Sequence, residues 1–144
     1  MTILPISLTI AAGAALINIW LAMRVGRVRM SEKVSIGDGG NDRLIRRMRA
    51  HSNYIENTPI VLILLALVEL GLGPSLWLWG VGVIYLVARI LHAFGMDGMG
   101  WARSAGVIIT MLTQLGLAIA ALSTVYLTPV GTTTQITETV AVEQ

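Results

Sequence analysis

Of the 144 residues, 55% are apolar and 12% are charged, and the mean hydropathy is +0.75; soluble domains carry about 25% charged residues, so an ordinary water-soluble domain is excluded and lipid is the expected solvent. Cysteine is absent, which excludes a disulfide framework, a thiolate metal site and a protein thiol nucleophile, so any sulfur chemistry needs a thiol brought by a ligand. The net charge is only +2, yet eight of the ten Lys and Arg residues fall between Arg24 and Arg49, leaving only Arg89 and Arg103 elsewhere.

Met1 to Met23 contains no charged residue, and an α-helix needs only about 20 residues to cross the hydrocarbon core of a bilayer. This predicts a first span over about 3–23. Its Arg residues come after the apolar stretch rather than before it, which reads as a retained helix and not a cleaved secretory signal. Asn18 is expected to hydrogen-bond to a neighbouring helix. The basic stretch from Arg24 leads into Gly37-Asp38-Gly39-Gly40, read as a loop because its glycines permit tight backbone turns.

From Asn41 the pattern becomes helical again, with Asp42 near its start, a polar portion through Asn57 and an apolar portion from Ile60 to Leu72. This helix begins in water and enters lipid, with a second span over about 57–72. Gly71-Leu72-Gly73-Pro74 is a turn signal, and a third span over about 75–95 follows. After Gly95, Gly98 and Gly100, an uncharged apolar stretch predicts a fourth span over about 105–127, closed by Thr128-Pro129. The tail 129–144 is polar and carries no assigned chemistry. Residues 1–128 thus form a single membrane domain: an all-α, antiparallel four-transmembrane-helix bundle. Four spans place both basic connections on one side, which the positive-inside bias makes cytoplasmic, with both termini opposite.

Arg46, Arg49, Asn53 and Glu56 are spaced by three, four and three, so they fall within an arc of about 80° on the second helix. A carboxylate at the start of an apolar segment is costly unless it faces a partner, a cavity or a ligand. Arg forks bind carboxylates while Glu56 accepts from an ammonium group, so the stripe suits a zwitterion. The plainer alternative is that the Arg residues snorkel and that Asn53 and Glu56 tie helices together. On the third helix Tyr85, Arg89 and His92 share a face, either as a second polar stripe or as an interfacial belt. Arg103-Ser104 opens the fourth helix, where a cation opposes the helix dipole unless an anion lies nearby. Glu69 reads as interfacial, and Gln114 and Thr110 as interhelical hydrogen-bonders.

The run Arg49-Ala50-His51-Ser52-Asn53-Tyr54-Ile55-Glu56-Asn57-Thr58-Pro59 resembles the second-helix signature of the MAPEG superfamily, which includes microsomal glutathione transferases and the leukotriene- and prostaglandin-forming synthases. The resemblance extends over most of residues 20 to 115 and is greatest to the bacterial branch. It implies a homotrimer with glutathione, a co-substrate, held between adjacent subunits and open toward the cytoplasmic face. It further implies that Arg49, Asn53 and Glu56 contact glutathione, that His51 sits at a polar contact position, and that one Arg of the basic stretch, Arg29 in preference to Arg27, is another contact. His92 resembles the third-helix His of the prostaglandin branch, and Arg103-Ser104 resembles the pair implicated in activating the glutathione thiol. Asn57 and Met96 stand where the leukotriene and prostaglandin branches respectively have Tyr.

The resemblance therefore implies a glutathione-dependent transferase or peroxidase acting on lipophilic small molecules in a membrane, of the bacterial inner-membrane type, without metal or nucleic acid. The alternative is a non-catalytic lipid- or ligand-binding protein of the same fold. A small transporter has less support, because Glu56 and Glu69 lie toward opposite faces and no discontinuous helix pair marks the midplane.

Overall fold

The computed structural model describes residues 3–127, so the expectations for Thr128-Pro129 and the tail lie outside the described residues. Four helices follow one another: α1 (Pro5–Glu32), α2 (Asp42–Leu72), α3 (Leu76–Met96) and α4 (Gly100–Tyr126). Each is long and apolar enough to cross a membrane. Consecutive helices run antiparallel, with α1 and α4 at opposite corners and α2 and α3 between them.

Two boundaries differ from expectation. α1 does not stop at the basic stretch but continues through it to Glu32, because Arg, Met and Lys are good helix formers and the next turn residue comes only at Lys33, which takes a left-handed conformation at φ 54° and donates its backbone N–H to Arg29. α4 begins at Gly100, earlier than the apolar pattern suggests. At 1.5 Å per residue, the 28 residues of α1 and 31 of α2 exceed a hydrocarbon thickness of about 30 Å. Both therefore project their basic ends beyond the lipid. α2 starts where anticipated, with the Asn41 side chain accepting from Leu44 N at 3.0 Å.

The interior is built of two apolar layers. One joins Ile6, Ile10, Val61, Leu65, Val68, Leu78, Tyr85 and Leu117, and the other, nearer the basic side, joins Ala14, Ile17, Leu21, Tyr54 and Ala93. Outward faces are equally apolar: Leu16 is 69% exposed, and Ile108 and Ile119 are exposed as well. In water such a surface would be an aggregation hazard; against lipid it is the expected solvent face.

Glu69 is not an interfacial residue lying in water. It is buried, and its carboxylate accepts from Ile6 N at 2.9 Å, Ser7 N at 2.7 Å and Ser7 Oγ at 2.6 Å. α1 has no capping side chain of its own, and Pro5 has no N–H to satisfy. Leu8 N reaches Leu4 O at 3.0 Å, so Glu69 supplies the acceptors that the remaining first-turn donors lack. A carboxylate at that position also meets the positive end of the α1 dipole. Glu69→Gln is expected to lower stability by roughly 1 to 3 kcal/mol, because it discharges the cap and turns an NH2 toward backbone donors. Thermal unfolding in detergent measures this, and an unchanged midpoint would remove Glu69 from the cap.

Candidate functional site

The polar stripe of α2 meets α3 near the basic end of the bundle. Arg49, Ser52, Asn53 and Glu56 from α2 and His92 and Met96 from α3 line a cleft of about 200 Å³. Arg49, Ser52 and Glu56 are exposed, Asn53 is half-buried, and His92 is buried. His92 Nδ1 is out of contact with solvent and has no hydrogen-bond partner among the described residues. The close approach of α4 holds His92 in place: a Cβ added at Gly106 would lie 2.7 Å from His92 Cβ and 2.8 Å from the Ala88 carbonyl oxygen. Thus the cleft is lined by a guanidinium, an amide, a hydroxyl, a carboxylate and the His92 side chain, whose Nδ1 is enclosed.

Behind the cleft stands Arg89, 1% exposed. Its Nη2 donates to Asn53 Oδ1 at 2.8 Å and its Nη1 to Thr110 Oγ1 at 3.1 Å, while the guanidinium carbon lies 5.6 Å from the centre of the Tyr54 ring. Tyr85 is also fully buried, and its hydroxyl lies 2.8 Å from Thr58 Oγ1. The interfacial-belt reading of Tyr85, Arg89 and His92 is therefore wrong. Their shared face turns inward because α3 packs against both α2 and α4, so its polar stripe meets theirs.

Other residues singled out by sequence lie elsewhere. His51 is on the α1 side of α2, where its Nε2 donates to Asn18 Oδ1 at 2.9 Å. Arg29 folds over the end of α1, donating to the Val34 and Ser35 carbonyls at 3.4 Å each, with Met48 Sδ at 3.5 Å. Arg27 and Arg46 are exposed and do not line the cleft. Arg103 and Ser104 are exposed in the first turns of α4, with Ser104 Oγ donating to Gly100 O at 3.3 Å. They do not line the cleft, but the backbone of Arg103 abuts Gly95, the neighbour of the cleft residue Met96. The structure brings together Arg49, Asn53, Glu56 and His92, and leaves Arg29, His51, Arg103 and Ser104 around them.

Sequence reasoning missed a second polar centre. Asp97, in the α3–α4 connection, pairs with Arg24 of α1 and, at 3.5 Å, with Arg47 of α2. Arg47 also donates to the Arg24 carbonyl at 3.2 Å, and Arg24 lies over the Trp20 ring, 4.8 Å from its centre. The available signal was that Asp97 is the lone acid of its connection, set against a strongly basic side. The expected interhelical role of Gln114 is met, since its Nε2 donates to Asn57 Oδ1 at 2.8 Å.

The family model for the MAPEG family matches residues 7–123. The chain belongs to the MAPEG family. It is 31% identical, over 102 residues, to a protein named inner membrane protein YecN of Escherichia coli strain K12, covering 69% of this chain and 77% of that relative. YecN of an Escherichia coli O6:H1 strain matches to the same extent. Every cleft residue of this MAPEG member, together with Arg103 and Ser104, falls within the matched span.

The α3–α4 contact that sets the position of Arg103 is open to test. A Cβ at Gly95 would fall 2.1 Å from Arg103 N and 2.5 Å from Arg103 Cα, whereas a Cβ at Gly80, on the same helix, meets nothing within 4 Å. Gly95→Ala is expected to cost at least 1 to 3 kcal/mol by forcing backbone apart, roughly the penalty of overpacking. Gly80→Ala should instead be neutral or stabilise by up to about 1 kcal/mol. Equal melting temperatures for the two variants would contradict the close contact.

Proposed function

We propose that this MAPEG protein is a glutathione-dependent membrane enzyme, a transferase or peroxidase, that binds glutathione at the Arg49–Asn53–Glu56–His92 cleft and acts on lipophilic substrates. The observation that carries the reading is the side-chain set itself: a guanidinium and an amide beside a carboxylate on one helical face, with the His92 side chain across the cleft. Arg49 and Asn53 suit a carboxylate, Glu56 suits an ammonium group, and glutathione bears both. His92 Nδ1 is buried and unpartnered, so a ligand group would satisfy it only after the imidazole turns toward the cleft.

Glutathione, when bound, supplies the thiol that the cysteine-free chain lacks. Arg103 provides positive charge at the start of α4, and a guanidinium within a few ångströms favours the thiolate over a thiol whose ordinary pKa is near 8.5. The Ser104 hydroxyl beside it becomes a donor to the thiolate when it turns from the Gly100 carbonyl, which it reaches at 3.3 Å. In this reading Arg103 and Ser104 are the catalytic pair, and Arg49, His51, Asn53, Glu56, His92 and Arg29 hold the ligand.

Two features favour sites completed between copies of the chain, assembled as a homotrimer. The cleft of about 200 Å³ is smaller than the roughly 300 to 1,000 Å³ of ordinary small-molecule sites. His51 and Arg29 also face away from it, so a neighbouring subunit would be needed to bring their equivalents to the ligand. The relatives' name places those proteins in an inner membrane, and the basic connections of this chain suit a cytoplasmic placement by the positive-inside bias.

A second reading, ligand binding without catalysis, is favoured by one specific arrangement. Asn57, at a Tyr position of the leukotriene branch, is committed to structure: its Nδ2 donates to Asn53 O at 2.8 Å and its Oδ1 accepts from Gln114. Titration calorimetry of glutathione into detergent-solubilised protein tests both readings. Glu56→Gln is expected to weaken binding about tenfold or more, as loss of a hydrogen bond to a charged group does. Arg103→Ala should lower conjugation of a generic aromatic electrophile by roughly 10- to 100-fold while leaving the bulk of the affinity. Equal binding by wild type and Glu56→Gln would refute the ligand assignment, and binding without conjugation or peroxide reduction would select the second reading.

A further inference from the structure

Arg89 is unusual among the charged residues. It is buried, and among the described residues no carboxylate pairs with it, both ion pairs being made by Asp97. Its two terminal nitrogens have separate partners on two helices, Asn53 Oδ1 on α2 and Thr110 Oγ1 on α4. The Thr110 hydroxyl proton is directed to Gly106 O at 2.8 Å, which leaves a lone pair to accept from Arg89. The Tyr54 ring beneath the guanidinium is tied to α1 by its hydroxyl, which donates to Ala14 O at 2.6 Å. Both terminal nitrogens of the guanidinium are thus partnered, while its Nε is buried without a hydrogen-bond partner among the described residues.

A guanidinium has donors and no acceptor. The atom of Asn53 that faces it must therefore be the carbonyl oxygen, and the planar amide then turns its NH2 the other way, toward the cleft that Asn53 lines with Arg49 and Glu56. We infer that Arg89 is a positioning residue: it fixes the sense of the Asn53 amide so that Asn53 offers the cleft a donor and not an acceptor. With Arg89 replaced, the two faces of the amide become nearly equivalent, and an oxygen can turn toward whatever Arg49 also faces. The group bound opposite Arg49 and Asn53 is thereby restricted to an acceptor such as a carboxylate, while Glu56, three residues further along α2, remains the acceptor for a cationic group. This selectivity rests on the glutathione reading only for the identity of the probe.

The test is a double-mutant cycle on the full-length protein in detergent, read twice: by thermal stability without ligand and by calorimetric affinity for glutathione. Arg89→Gln and Asn53→Ala are each expected to weaken glutathione binding about tenfold, and the double variant should bind no worse than Asn53→Ala alone. Asn53→Asp should keep or raise stability, since a carboxylate pairs with Arg89, yet lose affinity, since it presents no donor. Arg89→Lys, which retains a donor to Asn53, should hold an intermediate affinity and replaces Arg89→Gln in the cycle if the latter does not fold. Losses that multiply to about a hundredfold in the double variant, or an Arg89→Gln protein that binds as wild type, would overturn the inference. If wild type fails to bind glutathione, the proposed function falls, and the ligand-free cycle decides the inference separately. Non-additive stability of the Asn53 and Arg89 changes supports it, and additivity rejects it.

Discussion

A guanidinium inside a lipid-clad bundle is tolerated only if the protein supplies what water would, and Arg89 imposes that requirement on all four helices. Charged groups within membrane-spanning segments are costly unless they find internal partners. Here α3 contributes the cation, α2 the Asn53 oxygen, α4 the Thr110 hydroxyl, and α2 again the Tyr54 ring, itself anchored on the α1 backbone. The apolar layers could slide past one another with modest loss. These directional contacts cannot, so they set the register in which Asn53 and His92 face the same cleft.

The same logic recurs at other depths. Lipid provides little hydrophobic drive for one helix to prefer another over the acyl chains, so packing of small residues and interhelical hydrogen bonds do the selecting. Glu69 caps α1 at one end, the Thr58–Tyr85 and Asn57–Gln114 pairs cross the middle, and Arg24, Asp97 and Arg47 tie three segments at the basic end. Between these ties, glycines permit close approach: Gly82 against Ile10, Gly95 against Arg103 and Gly106 against His92. Polar ties and small residues thus act on the same interfaces, each correcting what the other leaves free.

Much of this was readable from composition and spacing because the membrane restricts the options. Four charge-poor stretches could only be helices, and the three-four-three spacing placed Arg49, Asn53 and Glu56 on one face irrespective of what they touch. The hydropathy pattern could not say which way a polar stripe turns about the bundle axis. Tyr85, Arg89 and His92 are as compatible with an interfacial belt as with a buried network until α4 is placed against them. Glu69 was misread for a related reason: a carboxylate near a helix end usually meets water, and nothing local to residue 69 announces an uncapped helix more than sixty residues upstream. Asp97 escaped notice because a single acid in a short connection has no periodicity. The end of α1 was missed because a run of Arg residues marks the lipid boundary, and the boundary of lipid is not the boundary of a helix.

The geometry of α2 also constrains how a complete site can be assembled. Residues 51 and 53 differ by about 200° around the helix axis, which is why His51 turns to Asn18 on α1 while Asn53 turns to Arg89 on α3. No single cleft within one subunit can recruit both faces. If both belong to ligand sites, as proposed, each α2 must serve two of them, one on either side, and a closed ring of copies then has as many sites as subunits. Such a ring would also leave the outer apolar faces in contact with lipid. A lipophilic substrate could then approach each site through the membrane, while glutathione, which bears charge at both ends, would enter from the exposed Arg49 and Glu56 at the aqueous boundary. The two substrates would meet where the polar stripe ends and the apolar span begins, which is the position Glu56 occupies on α2.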